Sequence, residues 1–257
     1  MTMAFELITV PCLSDNYAFL MHDPDDGTTL LVDVPEAAPI LDVVNTKGWD
    51  ITHVLLTHHH PDHVQGLPDI LANHRPIVIG AMADANRLPD LDQPVSQDDR
   101  IAIGSAIGDV YDVSGHTIGH IAVHFAEQGI VFTADSLMAL GCGRLFEGSA
   151  ELMWNSLNKL RALPDATIVC SGHEYTMANA RFAMTVDPDN PALLDRIARI
   201  EQARANGTPT VPSNLGEEKQ TNPFLRPDDP AIRKHLGMLS ATDAEVFGEI
   251  RSRKDSF

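Results

Sequence analysis

Thr57-His58-His59-His60-Pro61-Asp62-His63 gathers four imidazoles and a carboxylate into seven residues, directly after the apolar run Val54-Leu55-Leu56. The apolar run reads as a buried strand, so the histidines lie on the loop leaving its carboxyl end, where α/β sheets bind ligands. Crowding so many donors gains little by itself, whereas a divalent cation offsets the crowding through coordination. His58 and His60 are two residues apart and point the same way from an extended turn, while Asp62 and His63 follow one turn later and face a neighbouring position. That spacing suggests two metal ions rather than one. An expression tag would sit at a terminus without the Asp, the Pro or the strand. Closed structural zinc sites are usually rich in cysteine, and the run contains none. His59 alternates away from its neighbours and is read as standing outside the ligand set.

The remaining donors must come from elsewhere, and three further segments share one grammar of strand, small residue, ligand. Asp109-Val110-Tyr111-Asp112-Val113 leads into Ser114-Gly115-His116, Gly129-Ile130-Val131-Phe132-Thr133 into Ala134-Asp135, and Thr167-Ile168-Val169-Cys170 into Ser171-Gly172-His173. Small residues such as Gly115 and Gly172 are expected to let the backbone approach a cation closely. His120, four residues after His116, is read as a residue that supports a ligand or packs beside it, because its segment looks like a loop entering a strand. No HExxH pattern occurs, which disfavours a helix-borne zinc site.

The run His58-x-His60-x-Asp62-His63, with His116, Asp135 and His173 following in that order, resembles the metallo-β-lactamase superfamily. That resemblance implies an α+β fold, a four-layer αββα sandwich with a dinuclear site between its sheets, followed by a small α-helical C-terminal domain. Four further segments resemble glyoxalase II, the hydroxyacylglutathione hydrolases. They are Gly141-Cys142-Gly143-Arg144-Leu145-Phe146-Glu147-Gly148, Gly172-His173-Glu174-Tyr175-Thr176, Asn222-Pro223-Phe224-Leu225-Arg226 and the closing Arg251-Ser252-Arg253-Lys254-Asp255-Ser256-Phe257. The histidine run alone indicates only the superfamily; the four segments together are specific, and the resemblance covers essentially the whole chain.

By this resemblance His58, His60 and His116 hold one divalent metal, Asp62, His63 and His173 a second, and Asp135 bridges them. Asp62 and Asp135 thereby position a hydroxide aimed at the carbonyl of a glutathione thioester. Five histidines and two aspartates form a mixed N/O donor set for which zinc is the first expectation and iron or manganese the alternatives. A thiol of pKa ~8.5 leaves readily as thiolate, so no side-chain general acid is demanded. Arg144, Phe146, Tyr175, Arg251 and Lys254 fall at positions that hold the glutathione moiety. The family commonly has an aromatic hydroxyl where Phe146 stands, Lys where Arg144 stands, and Gly where Gln65 stands. The closest alternative is a mononuclear iron persulfide dioxygenase of the same superfamily, which generally lacks the helical tail. A nuclease of the superfamily would carry an inserted domain and a basic surface, and a non-enzymatic metal-binding scaffold would not need all seven ligands.

The chain has 257 residues, 44% of them hydrophobic, enough for one large core and a small appended domain. The expected division is a catalytic domain over 1–173 and a helical substrate-binding domain over 174–257. Strands are expected near 5–10, 17–22, 29–33, 76–79 and 121–125, and helices near 35–45, 150–163, 191–206 and from about 241; strand signals vanish after Met177. A net charge of −18 disfavours nucleic acid as a partner. Residues 1–10 read as an amphiphilic strand without a basic n-region, and no apolar run approaches the ~20 residues that span a bilayer. Three scattered cysteines, Cys12, Cys142 and Cys170, suit a reducing compartment. A cytoplasmic monomer is therefore expected.

Overall fold

The computed structural model describes residues 5–257; the first part of the expected N-terminal strand, residues 1–4, lies outside the described residues. The chain forms two compact units, one comprising the chain up to Asp112 with Ile118–Thr133, the other Val113–Thr117 with Ala134–Phe257.

The first unit carries β1 (Glu6–Cys12), β2 (Asn16–His22), β3 (Thr29–Val32), α1 (Ala37–Lys47), β4 (His53–Leu56), α2 (Pro61–Val64), α3 (Leu67–Asn73), β5 (Ile77–Ala81) and β6 (Gln93–Val95). The six strands form one sheet in sequence order, antiparallel from β1 to β3 and parallel from β3 to β6. A second, antiparallel run follows in β7 (Arg100–Ile103), β8 (Ala106–Asp112), β9 (Ile121–Phe125) and β10 (Ile130–Ala134).

Period-two alternation explains the layering. On one face Ala18, Leu20, Leu31, Val54, Leu56 and Val78 pack with Ala37, Ile40 and Val44 of α1 and with Leu67 and Ile70 of α3. On the other face Phe19 meets Phe132 of β10 at 5.8 Å between ring centroids, and Phe132 meets Phe125 at 6.0 Å. A parallel strand covered on both sides has no polar face, which is why Val54-Leu55-Leu56 is continuously apolar and wholly buried. α1 ends at Gly48, whose φ of 69° is the left-handed closure that glycine adopts without steric cost.

The second unit is mostly helical. It contains the short hairpin β11 (Leu137–Met138) and β12 (Gly141–Cys142), α4 (Ala150–Arg161), β13 (Ile168–Ser171), α5 (Thr176–Val186), α6 (Pro191–Ala205), β14 (Ser213–Asn214), α7 (Leu215–Thr221), α8 (Pro230–Leu236) and α9 (Asp243–Asp255). Side chains satisfy the first amides of these helices: Ser149 caps α4, Asn190 caps α6 before Pro191, and Thr242 with Glu245 forms a capping box on α9. The buried Glu218 carboxylate accepts from the Leu140 amide at 2.9 Å and from Asn222 at 3.1 Å, and it pairs with buried Arg196. Asn222 also donates to the carbonyls of Met138 and Gly141, and Asn179 to that of Ala139. These amides and this carboxylate satisfy the backbone of the hairpin, which has too few strand residues to hold itself.

Two expectations are corrected here. Strand structure continues beyond Met177, because β14 pairs antiparallel with β13, and the stretch between the helices expected at 191–206 and from about 241 contains two more, α7 and α8. β14 is two residues long and each helix seven, below the length at which apolar periodicity registers. Their ends are set instead by the Asn214 and Asp229 caps.

Candidate active site

In the first unit the histidine run leaves β4 and turns into α2, with His60 at its N-cap and Pro61 as its first residue. Asp33 organises it. Its buried carboxylate accepts from the Thr57 amide at 2.9 Å, the Thr57 hydroxyl at 2.8 Å and His63 Nδ1 at 2.7 Å. The backbone at Asp33 is left-handed, with φ 56°, a conformation that Asp tolerates better than branched residues. Since the single Thr57 proton goes to Asp33, its hydroxyl accepts from His58 Nδ1, 3.0 Å away. Both rings are thereby fixed with their Nε2 lone pairs outward, and His58 Nε2 lies 3.2 Å from His60 Nδ1. Donor atoms of Asp33, His58 and His63 fall within 4.8 Å of one another. Asp62 is held by Asn16, whose Nδ2 donates to its carboxylate and to its carbonyl, each at 3.1 Å.

His59 turns away, as its alternation required, and its Nδ1 lies 2.9 Å from Asp84. His120 stacks on His58 at 4.6 Å and 15°, a packing contact. Gln65 sits in ordinary right-handed backbone with its side chain on the Pro35 carbonyl, so glycine is not needed there. The glycine requirement falls on Gly66, where a Cβ would stand 2.9 Å from the Ala37 amide.

In the second unit Asp135 lies between two imidazoles, with its Oδ2 3.5 Å from His116 Nε2 and 3.3 Å from His173 Nε2. His116 Nδ1 donates to the Arg144 carbonyl at 2.8 Å, so its Nε2 is the nitrogen turned toward the carboxylate. Two imidazole nitrogens converging on one carboxylate oxygen call for a positive charge at that point, either a proton on a ring or a metal ion held by all three groups. Gly143 is pressed against this pair: a Cβ there would overlap the Asp135 carbonyl and lie 2.8 Å from His116 Nδ1. Gly115 has a different reason from the expected close approach to a cation, since its Cβ would stand 2.8 Å from Cβ of Met153 on α4.

The expected substrate residues divide by environment. Phe146, 60% exposed, sets its ring edge-on to His116 at 5.2 Å, and Tyr175 stacks flat on His173 at 4.6 Å and 6°. The Arg144 side chain is exposed and pairs with Asp255 at 3.2 Å. Lys254 Nζ lies over the rings of Phe182 and Phe257 and donates to the Ala178 carbonyl at 3.2 Å. Burial, and then the neighbouring Arg251 charge, lowers its ammonium to about 8. Arg251 is only 6% exposed and lies over the Phe224 ring. Burial pushes the Cys142 thiol up to about 11, in keeping with a packing role. Asp33 and Asn16 escaped the sequence reading; a lone Asp at a strand end was the only signal for the first.

A family model described as the metallo-beta-lactamase superfamily matches residues 14–173, which defines the class of protein that this fold and donor set represent. The fold recurs in the crystal structure of ETHE1 from Myxococcus xanthus, with a TM-score of 0.68 and 23% identity over 97% of this chain and 90% of that one. It recurs also in TTHA1623 in a di-iron-bound form, with a TM-score of 0.63 and 23% identity over 86% and 100%. A second model, the hydroxyacylglutathione hydrolase C-terminus, matches residues 174–257. The hydroxyacylglutathione hydrolase of Ruegeria pomeroyi is 62% identical over 255 residues, 99% of this chain and 100% of its own. The chain belongs to the hydroxyacylglutathione hydrolase family and is a thioester hydrolase of α+β, metallo-β-lactamase fold. Its His/Asp clusters imply divalent metal ions.

Proposed function

We propose that the chain hydrolyses the thioester of S-(2-hydroxyacyl)glutathione, with S-D-lactoylglutathione the first expectation, to glutathione and a 2-hydroxy acid such as D-lactate, the second step of methylglyoxal detoxification. The observation that carries the chemistry is the set of imidazoles whose Nδ1 atoms are engaged by protein groups, which fixes each ring and turns its Nε2 toward further His and Asp donors. The substrate class rests on full-length similarity to hydroxyacylglutathione hydrolases.

We assign His58, His60 and His116 to one metal, Asp62, His63 and His173 to a second, and Asp135 to the bridge. Zinc is the first expectation, and the N/O donor set accommodates iron or manganese equally well. Divalent ions so held would polarise a thioester carbonyl and lower the pKa of solvent enough to supply a nucleophile near neutral pH. The residues do the remaining work. Asp33 and the Arg144 carbonyl keep His63 and His116 in the tautomer that presents Nε2, and Asn16 orients Asp62. Tyr175, stacked on His173, and Phe146, edge-on to His116, shield parts of these rings from water and offer an apolar surface to an acyl chain. Arg144 and Lys254 supply positive charge for the glutathione carboxylates, and the departing thiolate requires no proton from the protein.

We take residues 1–173 as catalytic and 174–257 as substrate-binding, and expect a cytoplasmic monomer that binds neither nucleic acid nor membranes. No helix among the described residues is long and apolar enough to cross a membrane. The test is release of free thiol from S-D-lactoylglutathione by protein of measured metal content, with a chelated control. Chelator-sensitive turnover supports the reading, and absence of turnover with metal bound overturns it.

A further inference from the structure

Asp84 is wholly buried in the short turn that follows β5, and its carboxylate stands between two segments that carry imidazoles. Its Oδ2 lies 2.9 Å from His59 Nδ1, and because an ionised carboxylate only accepts, that nitrogen carries the proton. Its Oδ1 accepts from Arg87 Nε, and Arg87 Nη2 donates onward to the Ile118 carbonyl at 2.7 Å. The next residue, Gly119, lies against Asp84 itself: its φ is 91°, and a Cβ there would stand 2.8 Å from Asp84 Cβ. The two segments also meet directly. The Ile121 amide donates to the Thr57 carbonyl at 3.0 Å, and the His120 ring stacks on His58 at 4.6 Å and 15°. The contacts therefore close a circuit, from Asp84 through His59 to His58, across to His120, and back through Gly119, Ile118 and Arg87.

We propose that His59 and Asp84 are positioning residues: the bond between them, braced by Arg87, fixes the backbone between His58 and His60 so that both imidazoles keep converging. His58 Nε2 and His60 Nδ1 stand 3.2 Å apart, and His59 is the residue that joins them. Asp33 fastens the run at Thr57 and at His63 and leaves its middle to Asp84. A fully buried carboxylate is costly unless it is both charge-paired and hydrogen-bonded, and Arg87 and His59 supply the two conditions. A planar fork suits position 87, because one group must reach a carboxylate and a carbonyl in different directions. His59 thus serves the site by pointing away from it. The inference rests on the reading of His58 and His60 as metal ligands.

The test compares wild type with His59→Leu, His59→Asn, Asp84→Asn and His58→Ala. Cobalt(II) affinity is read from visible absorption against a competing chelator, while circular dichroism and Tm report the fold. His59→Leu removes the donor and is expected to weaken cobalt binding about 10-fold or more, the scale on which ligand-orienting groups act. His59→Asn places an amide nitrogen as many bonds from the backbone as Nδ1, so it should recover most of that loss. Asp84→Asn offers one acceptor oxygen to two donors, should weaken binding by a similar factor, and carries the test if His59→Leu does not fold. A lower Tm with cobalt affinity unchanged in both His59→Leu and Asp84→Asn would overturn the proposal, since the brace would then serve the fold alone. Equal losses in His59→Asn and His59→Leu would also overturn it, because the ring, rather than its bond to Asp84, would then be what the metal needs. If His58→Ala leaves cobalt binding intact, it is the ligand assignment that fails, and the positioning role with it.

Discussion

His63 Nδ1 and Asp33 Oδ2 stand 2.7 Å apart, both buried and 30 residues apart in the chain. A carboxylate there does more than accept a proton: it raises the basicity of the opposite nitrogen and holds the ring plane. Asp33→Asn keeps the shape but replaces with a donor amide one oxygen of a carboxylate that receives three donors, the Thr57 amide on Oδ1 and the Thr57 hydroxyl and His63 Nδ1 on Oδ2. Metal affinity should fall about 10- to 100-fold, measured by chelator competition. Unaltered affinity would remove Asp33 from the site's machinery.

Asp135 and Lys254 should separate kinetically. Asp135→Ala removes the carboxylate between His116 and His173 and is expected to abolish turnover. Lys254→Ala should raise KM with kcat nearly unchanged, because a remote carboxylate is bound alike in ground and transition states. Equal losses of kcat in both variants would contradict this division of roles.

The Lys254 ammonium, lowered to about 8 by burial and then by Arg251, gives that KM a pH dependence. The group is charged below about 8 and neutral above it, so KM for the anionic thioester should rise between pH 7 and 9. The rise should be about fivefold, corresponding to the ~1 kcal/mol of a partly exposed charge pair. Lys254→Met should flatten the profile. For stability the sign is opposite: between about 8 and 10.5 the unfolded chain binds more protons, so this group's contribution to stability grows with pH across that window.

Arg196 and Glu218 are both buried and paired, with Thr221 and the Leu140 amide as further partners. Removing one charge leaves the other uncompensated, so Arg196→Leu should cost about 3–5 kcal/mol in denaturant unfolding. The double variant Arg196→Leu/Glu218→Met should recover part of that loss, because it leaves neither charge stranded. A double variant no more stable than the single one would show that the hairpin depends on Glu218 itself.

The place of the histidine run was readable because a buried parallel strand must be apolar and polar donors can follow only at its carboxyl end, so Val54-Leu55-Leu56 and His58 explain each other. His116, Asp135 and His173 were readable for a similar reason, each following the end of a strand. Asp33 was not, since its importance comes from a left-handed turn that brings it under Thr57 and His63. Burial of Arg251 was equally hidden: on α9 it reads as one more basic residue, and only packing against Phe224 and Cys142 removes it from water. α7 and α8 are too short for periodicity and are specified by their caps.

Gly143 has a bearing on how this catalyst can evolve. Any missense change there adds a Cβ that would overlap the Asp135 carbonyl, so the position has no neutral neighbours in sequence space. At Phe146, three residues on and 60% exposed, solvent leaves room for side chains of other sizes. Neutral change is therefore sterically open at residue 146 and closed at residue 143, where the backbone lies against His116 and Asp135.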